Sequence, residues 1–125
     1  MTGITLDTGG LIAMDRNDRR VLTLLARAAE LGMRITIPAT ALAQAMRNPA
    51  RQARLSRLIR QPSTDLMALN GPDATAVGLL LARTATRDVV DAHVVVCGQR
   101  AGQAVVTSDA ADLWRIAPRL ELVVV

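Results

Sequence analysis

Short apolar runs alternate along the chain with longer stretches in which apolar residues return every three or four positions, a pattern that predicts strands followed by helices. Ile4-Thr5-Leu6-Asp7 is apolar and β-branched enough for a buried strand, and Gly9-Gly10 after it reads as a break. Asn17 or Asp18 then caps a helix in which Val21, Leu22, Leu24, Leu25, Ala28, Ala29 and Leu31 keep helical spacing up to Gly32. Arg34 to Ile37 makes a second strand. Pro38 suits the first turn of a helix through Ala41, Leu42, Ala45 and Met46, which Asn48-Pro49 ends before another helix from about Arg51 to Ile59. Leu66 to Leu69 is a weak third strand. Pro72 opens a helix through Val77, Leu80 and Leu81, and Asp88 opens one through Val94 to Cys97 that closes near Gly102. Ala104 to Thr107 is a strand, Asp109 opens a short helix, and Leu120 to Val125 finishes the sheet. Such alternation predicts an α/β sandwich of three layers, a mostly parallel central sheet with helices on both faces. The 125 residues fit one domain with a single core, and no linker, repeat or low-complexity tract interrupts them.

Four aspartates fall where strands end or helices begin: Asp7, Asp91, Asp109 and Asp112, with Asp88 a turn before Asp91. In parallel sheets ligands collect outside the carboxyl ends of the strands, where strand order reverses. The loops after the first and fourth strands would face each other there and bring Asp7, Asp88/Asp91 and Asp109 together. Gathered carboxylates repel one another unless a divalent cation holds them, which points to a metal-dependent hydrolase. Asp88-x-x-Asp91 and Asp109-x-x-Asp112 have a second reading, as caps for free backbone N–H groups. Asp7, concluding an apolar strand, needs a partner to offset its desolvation, and an arginine would compete with a metal for that place. Thr107 and Ser108 beside Asp109 could orient a phosphate or cap the helix. His93 reads as a satisfied helix histidine and Cys97, in Val94-Val-Val-Cys97, as a small core residue.

Composition changes the picture in two respects. All fifteen cations are arginine, and the net charge is +4, in keeping with a polyanionic partner or with a basic surface that is merely soluble. Trp114 is the only aromatic ring, which argues against reading single strands by base stacking. The start of the chain lacks the layout of a signal peptide, and no uncharged run approaches the ~18 residues that span a bilayer. Secretion and membrane insertion are disfavoured. Cys97 has no partner for an internal disulfide, and the expected location is the cytoplasm.

Taken together, Leu6-Asp7-Thr8-Gly9-Gly10-Leu11-Ile12-Ala13, Ile35-Thr-Ile-Pro38 leading a helix, Asp88-Val-Val-Asp91-Ala92-His93 and Val106-Thr107-Ser108-Asp109-Ala-Ala-Asp112-Leu113 resemble a PIN domain of the VapC toxin type over nearly the whole chain. The resemblance implies a PIN-like sandwich and an endoribonuclease dependent on Mg²⁺ or Mn²⁺. One or two metal ions would activate water for attack on an RNA phosphodiester and leave a 5′-phosphate. It further implies a VapB-like antitoxin and a homodimer. By position, Asp7, Asp91 and Asp109 match the metal-binding acids, with Asp88 and Asp112 auxiliary. For the RNA, Arg47, one turn beyond Gln44, is a candidate contact beside Thr107 and Ser108; Arg54, Arg57 and Arg60 slant across the outside of their helix and read equally well as a solvated face.

One departure stands out. The family usually places a Glu in the helix after the second strand, where this chain has Gln44, and its only glutamates are Glu30 and Glu121. Gln keeps a carbonyl for a hard cation or its water but removes a negative charge. Asp88 supplies one nearby, and the combination resembles a Gln-for-Glu variant subtype. An inactive relative that binds RNA or an antitoxin without turnover is the alternative. A response-regulator-like receiver, which also gathers acids at strand ends, ranks below the nuclease because it needs a Lys after the fifth strand and the chain contains none.

Overall fold

The structure, a computed structural model, describes residues 2–125. Among these residues five strands, β1 (Gly3–Leu6), β2 (Arg34–Pro38), β3 (Thr64–Met67), β4 (Ala104–Thr107) and β5 (Leu122–Val124), form one wholly parallel sheet in the order β3-β2-β1-β4-β5. Seven α-helices link them: α1 (Thr8–Asp15), α2 (Arg19–Glu30), α3 (Ala39–Ala45), α4 (Ala53–Leu58), α5 (Gly71–Thr84), α6 (Val89–Ala101) and α7 (Ala110–Ile116). The chain is therefore the α/β sandwich its alternation predicts. Parallel strands need crossover helices, and right-handed crossovers fix where those helices go. The steps from β1 to β2 and β3 put α1 to α4 on one face; α5 and α6 return on the other to place β4 beyond β1. Accordingly α1 packs on β1, β4 and its neighbouring helices, while α6 lies across β1, β2 and β4.

β1 and β4 are buried at every position, as central strands covered on both faces must be. Their side chains join Leu11, Val21, Ile37, Leu55, Val94, Val95 and Leu113 in one core, all essentially inaccessible to water. A fully buried leucine of this kind, truncated to alanine, costs about 3 kcal/mol.

Helix punctuation follows the chemistry of the caps. The Asp18 carboxylate accepts from the Arg20 and Val21 amides at the head of α2, and Asn70 accepts from Asp73 at the head of α5. Gly102, at φ 65°, ends α6 in a left-handed turn. Gln52 ties α3 to α4, accepting from the Arg47 and Asn48 amides and donating to the Ala45 carbonyl.

Three expectations need correction. The Gly9-Gly10 pair is no break, since the chain passes from Asp7 straight into α1. Both glycines are there for proximity: a Cβ on Gly10 would stand 2.7 Å from the Val106 carbonyl oxygen, and one on Gly9 would collide with the Ser108 side chain. The third strand lies at Thr64–Met67, two residues earlier than its apolar pattern suggests, because edge-strand polar contacts set its register. Arg34 grips Asp65 through two hydrogen bonds of 2.6 and 3.0 Å, and Thr64 donates to the Leu58 carbonyl. The helix expected over Arg51–Ile59 divides into a 3₁₀ turn at Pro49–Arg51 and α4.

Candidate metal-binding and catalytic site

Strand order reverses between β1 and β4; Leu6, the last residue of β1, pairs with Val106, one residue before the end of β4. The next residues of both strands therefore emerge side by side at the carboxyl edge. Asp7 follows β1, and its carboxylate caps α1 by accepting from the Gly10 amide at 2.7 Å. Only 6 % of Asp7 is exposed. Burial pushes its pKa up, and the charge of Asp109 pushes the same way, against hydrogen bonds from the Thr107 hydroxyl and the Gly10 and Gly9 amides. The glycine pair is what lets the head of α1 sit close enough to β4 for Asp7 and Asp109 to feel each other.

Thr107 is fully buried and serves both acids. Besides its contact with Asp7, its hydroxyl oxygen accepts from the Asp109 amide at 2.9 Å. Ser108 is exposed at the rim. Asp109 occupies the cap position of α7 yet its exposed carboxylate makes no capping bond. Asp112, one turn further and also exposed, lies against Asp109, and the proximity of that carboxyl raises its pKa.

The second group of acids arrives on α6. Asp88 caps that helix, accepting from the Asp91 amide at 2.9 Å, so the capping reading holds for Asp88. Asp91 sits half-buried in the first turn. Its pKa is raised to about 6, first by burial and then by the charges of Asp88, Asp112, Asp7 and Asp109. Four other carboxylates thus act on one.

Gln44 reaches the same edge from α3. Its exposed side chain accepts from the Thr8 hydroxyl at 2.9 Å, beside Asp7 in the chain. Arg47 is exposed one turn beyond, with its guanidinium folded onto the Ala43 and Met46 carbonyls at the end of α3, both at 3.0 Å. His93 is buried with one nitrogen against Thr40. Cys97 is a core thiol whose pKa burial pushes up to about 11, as its apolar surroundings in sequence suggest.

Two functional candidates escape the sequence pattern. A cleft of about 350 Å³ opens beside the acids, walled by Asp88, Asp91 and Asp112 and carrying Arg87 and Arg115. Each arginine is adjacent or nearly adjacent to an acid in sequence, Arg87 before Asp88 and Arg115 three residues after Asp112. That proximity was the signal available, and it reads equally as surface charge until the fold shows both facing one opening.

The donors at this edge are carboxylate oxygens and one amide carbonyl, while the chain's imidazole and thiol are buried elsewhere. Such a set suits a hard cation such as Mg²⁺ or Mn²⁺ better than zinc or copper. Among the described residues no three potential ligands stand close enough to enclose an ion as they are. The fit is one of donor chemistry and of unrelieved negative charge.

No family model and no curated protein sequence matches the chain. Solved structures do. The fold is similar to that in the VapBC2 structure from Rickettsia felis bound to a DNA fragment from their promoter, with a TM-score of 0.68, 98 % of each chain covered and 16 % identity. It is also similar to that in FitAB bound to an IR36 DNA fragment, with a TM-score of 0.65, 13 % identity, and 96 % of this chain and 93 % of that one covered. The architecture is PIN-like. At such identities the likeness concerns the fold, and chemistry has to be argued from the residues at the carboxyl edge.

Proposed function

We propose that the chain is a divalent-metal-dependent endoribonuclease, the toxin of a VapBC-type pair, with Gln44 marking a Gln-for-Glu variant of that type. The observation that carries this reading is Asp91, raised to about 6 by burial and by the charges of four neighbouring carboxylates. A site tuned only for stability would not leave those charges unrelieved. In this reading Asp7, Asp91 and Asp109 hold Mg²⁺ or Mn²⁺, with Asp88, Asp112 and Gln44 as outer ligands or holders of water. The bound ion supplies a polarised water and offsets charge at the scissile phosphate.

The protein's own groups do the positioning. Thr107 fixes Asp7 and Asp109 relative to each other, and the Gly10 amide sets the rotation of the Asp7 carboxylate. Arg87 and Arg115, on the cleft beside the acids, grip phosphates flanking the cut, since a planar guanidinium meets two phosphate oxygens at once. Ser108 stands at the rim for a further phosphate contact, and Arg47 needs only to leave the end of α3 to join. The two neighbouring folds, each in an assembly named for two components, support a VapB-like antitoxin as partner. A homodimer and a cytoplasmic location complete the proposal.

Gln44 favours a second reading, in which the fold binds RNA or antitoxin with little turnover, because its carbonyl is already engaged by Thr8 and brings no charge. Incubating the purified protein with RNA and Mg²⁺, beside EDTA and Asp7→Asn controls, separates the two. The nuclease reading expects cleavage that both controls abolish. RNA binding with no cleavage would favour the second reading, and cleavage that survives both controls would contradict the site.

A further inference from the structure

His93 is the only histidine in the chain and lies fully buried on α6, two residues beyond Asp91. Its Nδ1 stands 2.7 Å from the hydroxyl oxygen of Thr40 on α3. Its Nε2 faces Asp73 Oδ2 at 3.9 Å without a well-formed hydrogen bond, and the ring also meets the Ala68 backbone carbonyl. Asp73 is itself buried and anchored by Arg100 at 2.8 Å. Were Nε2 the bare nitrogen, its lone pair would point at a carboxylate in a poorly screened interior, whereas an N–H there is attracted. The charge opposite Nε2 therefore assigns the proton to it and leaves Nδ1 to accept from the Thr40 hydroxyl.

Thr40 and Gln44 are one helical turn apart and so share a face of α3. That helix is only seven residues long, its buried side chains are two alanines, Ala41 and Ala45, its cap, Pro38, offers no side-chain bond, and Gln52 holds only its far end, at the Ala45 carbonyl. Two hydrogen bonds a turn apart fasten it. Thr40 meets His93 on α6, the helix of Asp88 and Asp91, and Gln44 meets Thr8 beside Asp7.

We propose that His93 and Thr40 are positioning residues: the imidazole, with its proton on Nε2 facing Asp73, accepts the Thr40 hydroxyl at Nδ1 and thereby sets where Gln44 stands relative to Asp91. The placement stands on geometry alone, and only its effect on turnover rests on the nuclease reading.

The test is nuclear magnetic resonance of ¹⁵N-labelled protein joined to RNA cleavage with Mg²⁺. With one histidine the imidazole signals need no assignment. They should report the Nε2–H tautomer, with a Nδ1 shift that moves in Thr40→Val and returns in Thr40→Ser; the Gln44 side-chain amide should move and return with it. In cleavage, Thr40→Val should lower kcat about tenfold with KM little changed, the scale of lost support behind a ligand. In a Gln44→Ala background the same change should cost less than about twofold, because both act through one contact. Thr40→Ala serves as the second variant should the valine fail to fold. A proton on Nδ1, a Gln44 amide indifferent to Thr40, or an undiminished loss in the Gln44→Ala background would each overturn the proposal. A parent protein that cuts no RNA would sink the nuclease reading instead, and the two resonance signals would still decide the positioning.

Discussion

Two regions of the sheet treat an aspartate in opposite ways. Near the start of β2 and β3, Asp65 is gripped by Arg34 through two hydrogen bonds, and that partner holds its carboxyl below the ordinary range. At the carboxyl edge Asp91 is surrounded by other acids and held well above it, at about 6. The nearest arginines, Arg87 and Arg115, line the same cleft, yet among the described residues neither forms an ion pair. The chain has cations enough to have neutralised the edge, since it carries fifteen arginines. Leaving the acids unpaired is a concession of stability of the kind proteins make at working sites. Asp65 shows what the same side chain looks like when stability is its only task.

If that contrast is right, removing an edge acid should destroy activity and spare the fold. Asp109→Asn should lower RNA cleavage on the order of a hundredfold or more while the melting temperature holds or rises, both read on one preparation. Equal cleavage would remove Asp109 from the site. Restoring charge should work in the other direction. Gln44→Glu should tighten Mn²⁺ binding roughly tenfold by calorimetry, since carboxylate count sets affinity for hard cations; unchanged or weaker affinity would place Gln44 away from the ion.

The third test concerns pH. Asp91 is raised in the folded state, so its contribution favours folding below the ordinary aspartate value of 3.8 and is lost as pH climbs through about 6. With regard to this group, the metal-free protein becomes less stable from pH 4 to pH 7. Discounted heavily for its exposure to solvent, the penalty is about 1 kcal/mol. Asp91→Asn should therefore raise the melting temperature about 3–4 °C at pH 7.5 and leave it unchanged at pH 4. A fall at pH 7.5 would break the contrast. The smallest effect belongs to the paired region: Asp65→Asn should lower the melting temperature by less than about 2 °C, and by less again in 1 M salt. Opposite signs for Asp91→Asn and Asp65→Asn at neutral pH are the signature.

Much of this was legible in sequence because it is local. The β1 and β4 runs are apolar and β-branched, and Asp18, Asp88 and Gly102 punctuate helices as their side chains or backbones require. The convergence of Asp7 with Asp91 and Asp109 followed from one rule, that sites form where strand order reverses in a parallel sheet. What escaped depends on distant partners. Gly9-Gly10 looks like punctuation until Val106 and Ser108 are known to lie against it. β3 took its register from Arg34–Asp65, a contact across 31 residues that no apolar pattern reports. His93 read as satisfied, and the unbonded Nε2 emerges only when Asp73 and Thr40 are seen on either side.

The central claim, that separate acids at the carboxyl edge form one site for a divalent ion, is tested most directly by titrating Mn²⁺ calorimetrically into metal-free protein at pH 6 in buffers of different ionisation enthalpy. Asp91 is about half protonated there, so binding should release protons; the release should vanish in Asp91→Asn, and binding itself should be lost in Asp7→Asn. Binding without proton release, or binding that neither substitution disturbs, would contradict the account.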